Sequence, residues 1–205
     1  MLSQIRPAIV LLALFTVLTG LAYPLAITGI AQIVMPYRAN GSLLSNAAGQ
    51  PVGSDLIGQN FATDKYFHSR PSATQAQDPA HPDDSSKTID APYNAANSTG
   101  SNLGPTSQKL LDRVKADVDA KRAAGATGPI PADSVTTSAS GLDPHISPEN
   151  AIAQIAAVAK ARNLPVDKVR AVVDANTEGR ALGLIGEPRV NVLRLNMALD
   201  ALASS

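Results

Sequence analysis

Cysteine and tryptophan are both absent from this 205-residue chain. Without cysteine there is no disulfide framework, no thiolate metal site and no cysteine nucleophile. Aromatic side chains amount to three Phe and four Tyr, none of them beyond Tyr93, so everything after that point must pack with Val, Leu, Ile, Ala and Met. Neither sign of charge is in excess, with 17 Lys plus Arg against 17 Asp plus Glu. No overall field therefore draws the chain to nucleic acid or to a strongly acidic partner. Several catalytic signatures are missing as well. There is no Gly-x-x-x-x-Gly-Lys-Ser/Thr loop for a nucleotide phosphate, no Asp-Lys-Thr-Gly-Thr aspartyl-phosphate signature, and no Gly-x-Ser-x-Gly elbow.

What the sequence does have is a long uncharged run between Arg6 and Arg38. From Pro7 to Val34 it is mostly Leu, Ile, Val and Ala, with Thr16, Thr19, Thr28 and Gln32 as the polar exceptions. As a helix this run would reach roughly 40 Å, against a hydrocarbon core of about 30 Å. It has no polar face to show to water, so it reads as a transmembrane helix over residues 7–35, after a short tail over 1–6. A cleaved signal peptide would carry an apolar run of only about 7–15 residues, which favours an uncleaved anchor.

Within the helix, Pro24 cannot donate to the Gly20 carbonyl and its ring crowds that group, which invites a kink. Thr16 with Gly20, and Ala22 with Ala26, place small residues one turn apart. These residues and Pro24 are candidates for packing against a partner helix. Tyr37 beside Arg38 fits an interfacial anchor. The bias of flanking positive charge slightly favours the N-terminal tail inside.

Residues 36–205 read as one soluble domain of α+β class on one side of the membrane, with strands first and helices later. Over residues 36–68, Ser42–Leu44 and Pro51–Ile57 flank Asn46-Ala47-Ala48-Gly49 as a hairpin, followed by an aromatic cluster of Phe61, Tyr66 and Phe67 onto which Tyr93 is expected to fold. Residues 69–104 are rich in Ser, Asn, Asp, Pro and Gly and read as a long loop without imposed elements. Residues 105–205 are mainly helical. One helix is capped by Thr106 or Ser107, ends at Gly125, and carries the stripe Leu110, Leu111, Val114 and Val118. A second opens Ser147-Pro148-Glu149 and buries Ile152, Ile155, Ala156 and Ala159. A third runs from Pro165 with Val166, Val169, Val172 and Val173 inward. The last starts near Asn191 and carries Val192, Leu195, Leu199 and Leu202. Ile130–Thr137 and Leu182–Ile185 could each supply a short strand.

Candidate chemistry is thin. Ser138, Ser140, Asp143 and His145 contain the ingredients of a Ser/His/Asp site, which would need the serine on a sharp exposed turn with base and orienter in reach. The same residues serve equally as a structural turn around Pro144, and Ser140, Asp143 and His145 are read that way. His81 with Asp78, Asp83 and Asp84 matches no recognised metal spacing and reads as a solvated loop. No metal site and no catalytic residue is expected.

Five blocks carry a family resemblance: Gly53 to Phe61, Tyr66 to Ala73, Tyr93 to Thr106, Ser138 to Pro148, and Gly186 to Asp200. Together they resemble the C chain of the bacterial potassium-transporting ATPase, the KdpC family. Departures are small: Thr99 stands where a second glycine is frequent, Ser107 where asparagine is, and Asn150 where alanine is usual. The resemblance implies a single-pass, non-catalytic subunit of a four-part inner-membrane pump. Its partners would be a channel-like A subunit that carries potassium, a P-type B subunit that hydrolyses ATP with Mg, and a small F subunit. The C chain would assemble or stabilise the complex and promote ATP binding by the B subunit. Its tail would be cytoplasmic and its domain periplasmic. The loop residues Asn94, Ser98, Gly100, Ser101, Asn102 and Gly104 become candidates for subunit contact or nucleotide contact, in an ordered loop that touches the A chain or closes on its own hairpin. The alternatives are an anchored periplasmic binding module and a Ser/His/Asp hydrolase, each acting without a pump.

Overall fold

The computed structural model describes residues 2–46 and 48–203. Ala47, in the expected first turn, lies outside the described residues, as do Met1 at the start of the tail and Ser204 and Ser205 at the end. The chain forms two compact units that divide after Leu44.

The first unit is dominated by one helix of 30 residues, Ile5–Val34, the only described helix long and apolar enough to cross a membrane. It is α-helical over α1 (Ile5–Val17) and α2 (Tyr23–Val34), with a π-helical segment, Leu18–Ala22, between them. The π segment sits where Pro24 lacks an N–H and would crowd the carbonyl of Gly20. Widening that turn is one of the known ways a helix absorbs such a defect. Thr16 and Thr19 donate their hydroxyls to the Leu12 and Phe15 carbonyls at 2.7 Å each, so both hydroxyls are satisfied within the helix. None of its side chains is buried within the chain. A short helix α3 (Pro36–Ala39) follows, and the Tyr37 hydroxyl donates to the Ser42 carbonyl at 3.1 Å.

The second unit is a mixed α+β domain, and the chain carries three small sheets, the first of which begins before the division. A two-stranded hairpin, β1 (Leu43–Ser45) with β2 (Pro51–Ser54), stands where the sequence places one. The stretch read as a featureless loop contains a second antiparallel hairpin, β3 (Gln75–Gln77) with β4 (Thr88–Asp90), in the register Ala76 opposite Ile89. The third sheet has the order β5-β7-β6, built from β5 (His145–Ile146), β6 (Thr177–Glu178) and β7 (Arg189–Asn191), all antiparallel. Neither expected late strand forms as such. Ala132–Ser134 is a 3-10 turn, and Leu182–Ile185 belongs to a tight turn closed by an isolated bridge.

Four helices complete the domain: α4 (Gln108–Ala123), α5 (Pro148–Arg162), α6 (Val166–Ala175) and α7 (Val192–Ala203). Ser147 caps α5 by accepting from the Asn150 N–H at 3.1 Å, with Pro148 at the first helical position where its missing N–H costs nothing. Asp133 fixes this start, taking bonds from the Ser147 N–H at 2.7 Å, its hydroxyl at 2.9 Å and the Asn150 amide at 3.0 Å.

The core lies between α5, α6, α7 and the third sheet. It buries Phe67, Ile146, Ile155, Val158, Val169, Val173, Val190, Val192, Leu195 and Leu199. Four helix faces differ from expectation. In α5 the inward face is Ala151, Ile155, Val158 and Ala159, while Ile152 and Ala156 point out. In α6, Val169 and Val173 are buried but Val166 is exposed, and in α7 Leu202 lies beyond the core. In α4 no side chain is fully buried and Leu111 faces solvent, so its apolar stripe rests on the surface rather than in the core. Phe61 packs against Tyr66, ring centroids 5.4 Å apart. Tyr93 turns instead to Gly58, and its hydroxyl donates to the Arg70 carbonyl at 2.9 Å.

Candidate functional site

The densest polar construction in the domain joins three segments far apart in sequence: Arg70–Thr74, Tyr93–Ser101 and Thr137–His145. Arg70 is the hinge between the first and third. Its guanidinium pairs with the Asp143 carboxylate at 3.1 Å and donates to the Thr137 carbonyl at 3.3 Å. Ser72 spans all three segments, donating to the Gly141 carbonyl at 2.8 Å and accepting from the Tyr93 N–H at 3.1 Å. Buried Thr74 donates to the Ala91 carbonyl at 2.6 Å and accepts from the Asn94 N–H at 3.1 Å. Such local hydroxyl bonds let a chain with few apolar residues hold an ordered path, because the Ser72 and Thr74 hydroxyls answer backbone groups of the neighbouring segments.

The loop residues singled out from sequence fall into two sets. Asn94 and Asn97 both donate their amides to the Gln75 carbonyl, at 2.8 and 3.0 Å, so this end of the loop closes on the β3–β4 hairpin. Ser98 donates to the Ser140 carbonyl at 3.0 Å, and a hydroxyl contact of 3.4 Å joins Ser101 to Thr137. Gly100 lies so close to the Ser138–Gly141 turn that a Cβ there would stand 2.6 Å from the Ala139 carbonyl oxygen. Gly104, by contrast, faces open space, and Asn102 is an exposed residue at a left-handed φ of 49°.

Ser140, Asp143 and His145 form nested turns. The Ser140 hydroxyl accepts from the Leu142 N–H at 3.1 Å, and Asp143 accepts from the His145 N–H at 3.0 Å. The His145 ring lies 3.6 Å from the same carboxylate. Ser138 accepts from the Gly141 N–H at 2.9 Å. Neither serine hydroxyl is bonded to His145, so no nucleophile stands against a base. The hydrolase alternative lacks its first requirement.

Burial pushes the Asp143 carboxyl up, but the His145 ring and N–H and the Arg70 charge outweigh it and hold the group below the usual carboxylate range. Burial also pushes the Tyr93 phenol up to about 12, which keeps it a hydrogen-bond donor. A depressed folded-state pKa stabilises the fold above the unfolded value, about 4 for aspartate, and that contribution is lost as pH falls through the folded value. Asp143→Asn should therefore lower stability at neutral pH, with the gap from wild type closing below about pH 4. Thermal unfolding followed across pH 3–7 checks this; a constant gap would exclude Asp143 as the acid-sensitive group.

The shallow groove beside this turn is lined by Arg70, Asp133, Asp143, His145, Glu149, Glu187 and Arg189. Its carboxylates outnumber its guanidiniums, and both guanidiniums are paired, Arg70 with Asp143 and Arg189 with Glu178. In the loop above, the N–H groups of Asn94, Ala96 and Asn97 are spent on internal acceptors. A triphosphate needs free cations or free N–H groups, and this groove offers it a surplus of carboxylates instead. Among the described residues, no group of three or more His, Asp or Glu is placed to hold a metal ion. Sequence reasoning missed Arg70, Ser72, Thr74 and Asp133 as the organisers of the site. Arg70 and Ser72 do lie within the Tyr66–Ala73 block that carries the resemblance.

A protein-family model described as KdpC, K+-transporting ATPase, c chain, matches residues 5–201. A Bradyrhizobium diazoefficiens protein named potassium-transporting ATPase KdpC subunit is 61% identical over 204 residues, covering 100% of both chains. Proteins of the same name from Methylobacterium nodulans and Rhodopseudomonas palustris are 61% and 60% identical, over 99% and 98% of this chain and 99% of each of theirs.

Proposed function

The chain belongs to the KdpC family of K+-transporting ATPase c chains, and from that premise we propose that it is the accessory subunit that assembles and stabilises an ATP-driven potassium uptake complex and promotes ATP binding by the complex's catalytic chain. The observation that carries this reading is the match over the whole length of relatives named as the pump's subunit. A single apolar helix anchors it in a membrane as a transport-complex subunit does. Its partners in this reading are the channel-like A subunit, the P-type B subunit and the small F subunit. ATP, Mg and the transported potassium belong to those chains. The proposed membrane is the inner one, with the tail cytoplasmic and the domain periplasmic.

Direct contact with ATP is the less favoured version. The N–H groups of Asn94, Ala96 and Asn97 in the motif loop are committed within the domain, and the groove beside the Asp143–His145 turn is acidic. Promotion of ATP binding then acts through the assembled complex. In mild detergent the tagged chain should co-purify with two larger membrane chains. Complexes prepared without it should show lower yield and a raised KM for ATP, with kcat changed less. Isolation of the tagged chain alone from cells expressing the whole set would overturn the proposal and leave the anchored binding module.

A further inference from the structure

Between β6 and β7 the chain runs out into a narrow finger. Its stem carries two ion-pair rungs, Arg180 with Glu187 at 2.7 Å and Arg189 with Glu178 at 3.1 Å. Above them Ala181 and Ile185 exchange backbone hydrogen bonds of 2.8 and 2.9 Å. At the apex Leu182 and Gly183 are consecutive left-handed residues, φ 55° and 74°. Two successive positive φ values suit Asn-Gly or Gly-Gly, and a leucine in the first place is sterically disfavoured. That leucine is also 91% exposed, beside Leu184 at 83% and Ile185 at 66%. The residue thus serves neither the turn nor the core. Local rules broken together in this way mark positions kept for an outside contact.

We propose that the Ala181–Ile185 finger is a docking element that inserts Leu182, Leu184 and Ile185 into an uncharged apolar cleft on a partner chain of the pump. The inference rests on the pump-subunit reading above. Charge favours a protein cleft over lipid. The stem's charges are neutralised in pairs, and the finger holds no Trp, Tyr or unpaired cation of the kind that seats a loop in a headgroup layer. Area argues against a second copy of this chain, because three side chains fall well short of the roughly 800 Å² per partner that a standard interface buries. A chain already held beside its partner by a membrane helix needs no such area, since tethering raises the effective concentration of the second contact. Both ends of the finger are pinned by ion pairs or bridge bonds, which suits a shaped pocket by sparing ordering cost on binding.

The test uses the full chain expressed with the whole pump. Leu184→Asp and Ile185→Asp should each retain the wild-type melting temperature and reduce co-purification of the larger chains by about tenfold or more, as truncated interface anchors do. Leu182→Gly relieves the left-handed strain, so it should melt no lower than wild type and still lose retention; it decides the matter should an aspartate variant unfold. With p-benzoylphenylalanine at position 184, irradiation of membranes should join the chain to one of the larger pump subunits. Unchanged co-purification, or crosslinks only to lipid or to a second copy, would overturn the finger's role while leaving the subunit reading intact. Failure of the wild-type chain itself to co-purify would overturn both.

Discussion

Asn196→Leu is expected to cost about 2–5 kcal/mol and to lower the melting temperature by roughly 10 °C. Asn196 lies fully buried on α7, where its amide donates to the Phe67 carbonyl at 3.0 Å and its oxygen accepts from the Phe67 N–H at 2.9 Å. One side chain thus satisfies both backbone groups of a residue 129 positions away, and that residue contributes the largest aromatic anchor of the core. Leucine has the same branched outline with more bulk, and it leaves a buried donor and a buried acceptor without partners, each costing about 1–3 kcal/mol. The loss is large against a total stability of about 5–15 kcal/mol. Amide exchange read at Phe67 should accelerate more than at Val173, which sits in the same core without using Asn196. Equal acceleration at both sites would mean that the asparagine does no more than fill space.

The second large effect is expected at Gly141. Its φ of 67° is left-handed, and an added Cβ would stand 2.5 Å from Thr74 Cγ2 and 2.7 Å from the Thr99 carbonyl oxygen. The backbone conformation alone costs alanine about 1–2 kcal/mol. The contacts cannot relax cheaply, because Thr74 is buried and bonded on both sides, and Thr99 precedes the glycine seated on Ala139. Gly141→Ala should therefore cost about 3 kcal/mol or more and loosen residues 93–101 in hydrogen exchange. Gly104→Ala, in the same motif loop but facing open space, should change stability by less than about 0.5 kcal/mol. If both variants behave alike in thermal unfolding, the close approach at Gly141 does not hold the loop.

Much of this domain was legible from local chemistry. Ser147-Pro148-Glu149 announces the start of α5, and Gly125, at a φ of 98°, closes the turn after α4 as a glycine should. Other features had no local signal. In α5 the alanines at 151, 156 and 159 add little to any stripe, so the sequence admits two faces. The structure chooses the one that carries Val158 rather than Ile152. Strands of two or three residues are too short to show a period, which is why the β5-β7-β6 sheet was invisible and why β3 and β4 hid inside a polar stretch. The site suffered most. Arg70 and Asp143 are 73 residues apart, and Asn196 and Phe67 further still, so their pairing exists only once the chain has folded. The motifs marked the right segments without saying which side chains hold them together.

The π segment in the membrane helix carries one more consequence, in angular phase. A turn of Leu18–Ala22 that hydrogen-bonds five residues ahead acts as one surplus residue in an otherwise regular helix. Each residue of an α-helix advances about 100° around the axis. The azimuth of Ala22 and Ala26 relative to Thr16 is therefore offset by close to that angle from what an unbroken helix would give. Replacing Pro24 by alanine so that the same residues close the ladder as a plain α-helix would lengthen the rod by about 1.5 Å and swing every downstream side chain by that same quarter turn. The span would still cross the bilayer and its composition would barely change. What it would lose is the clock position at which one end of the helix faces a neighbour when the other end does.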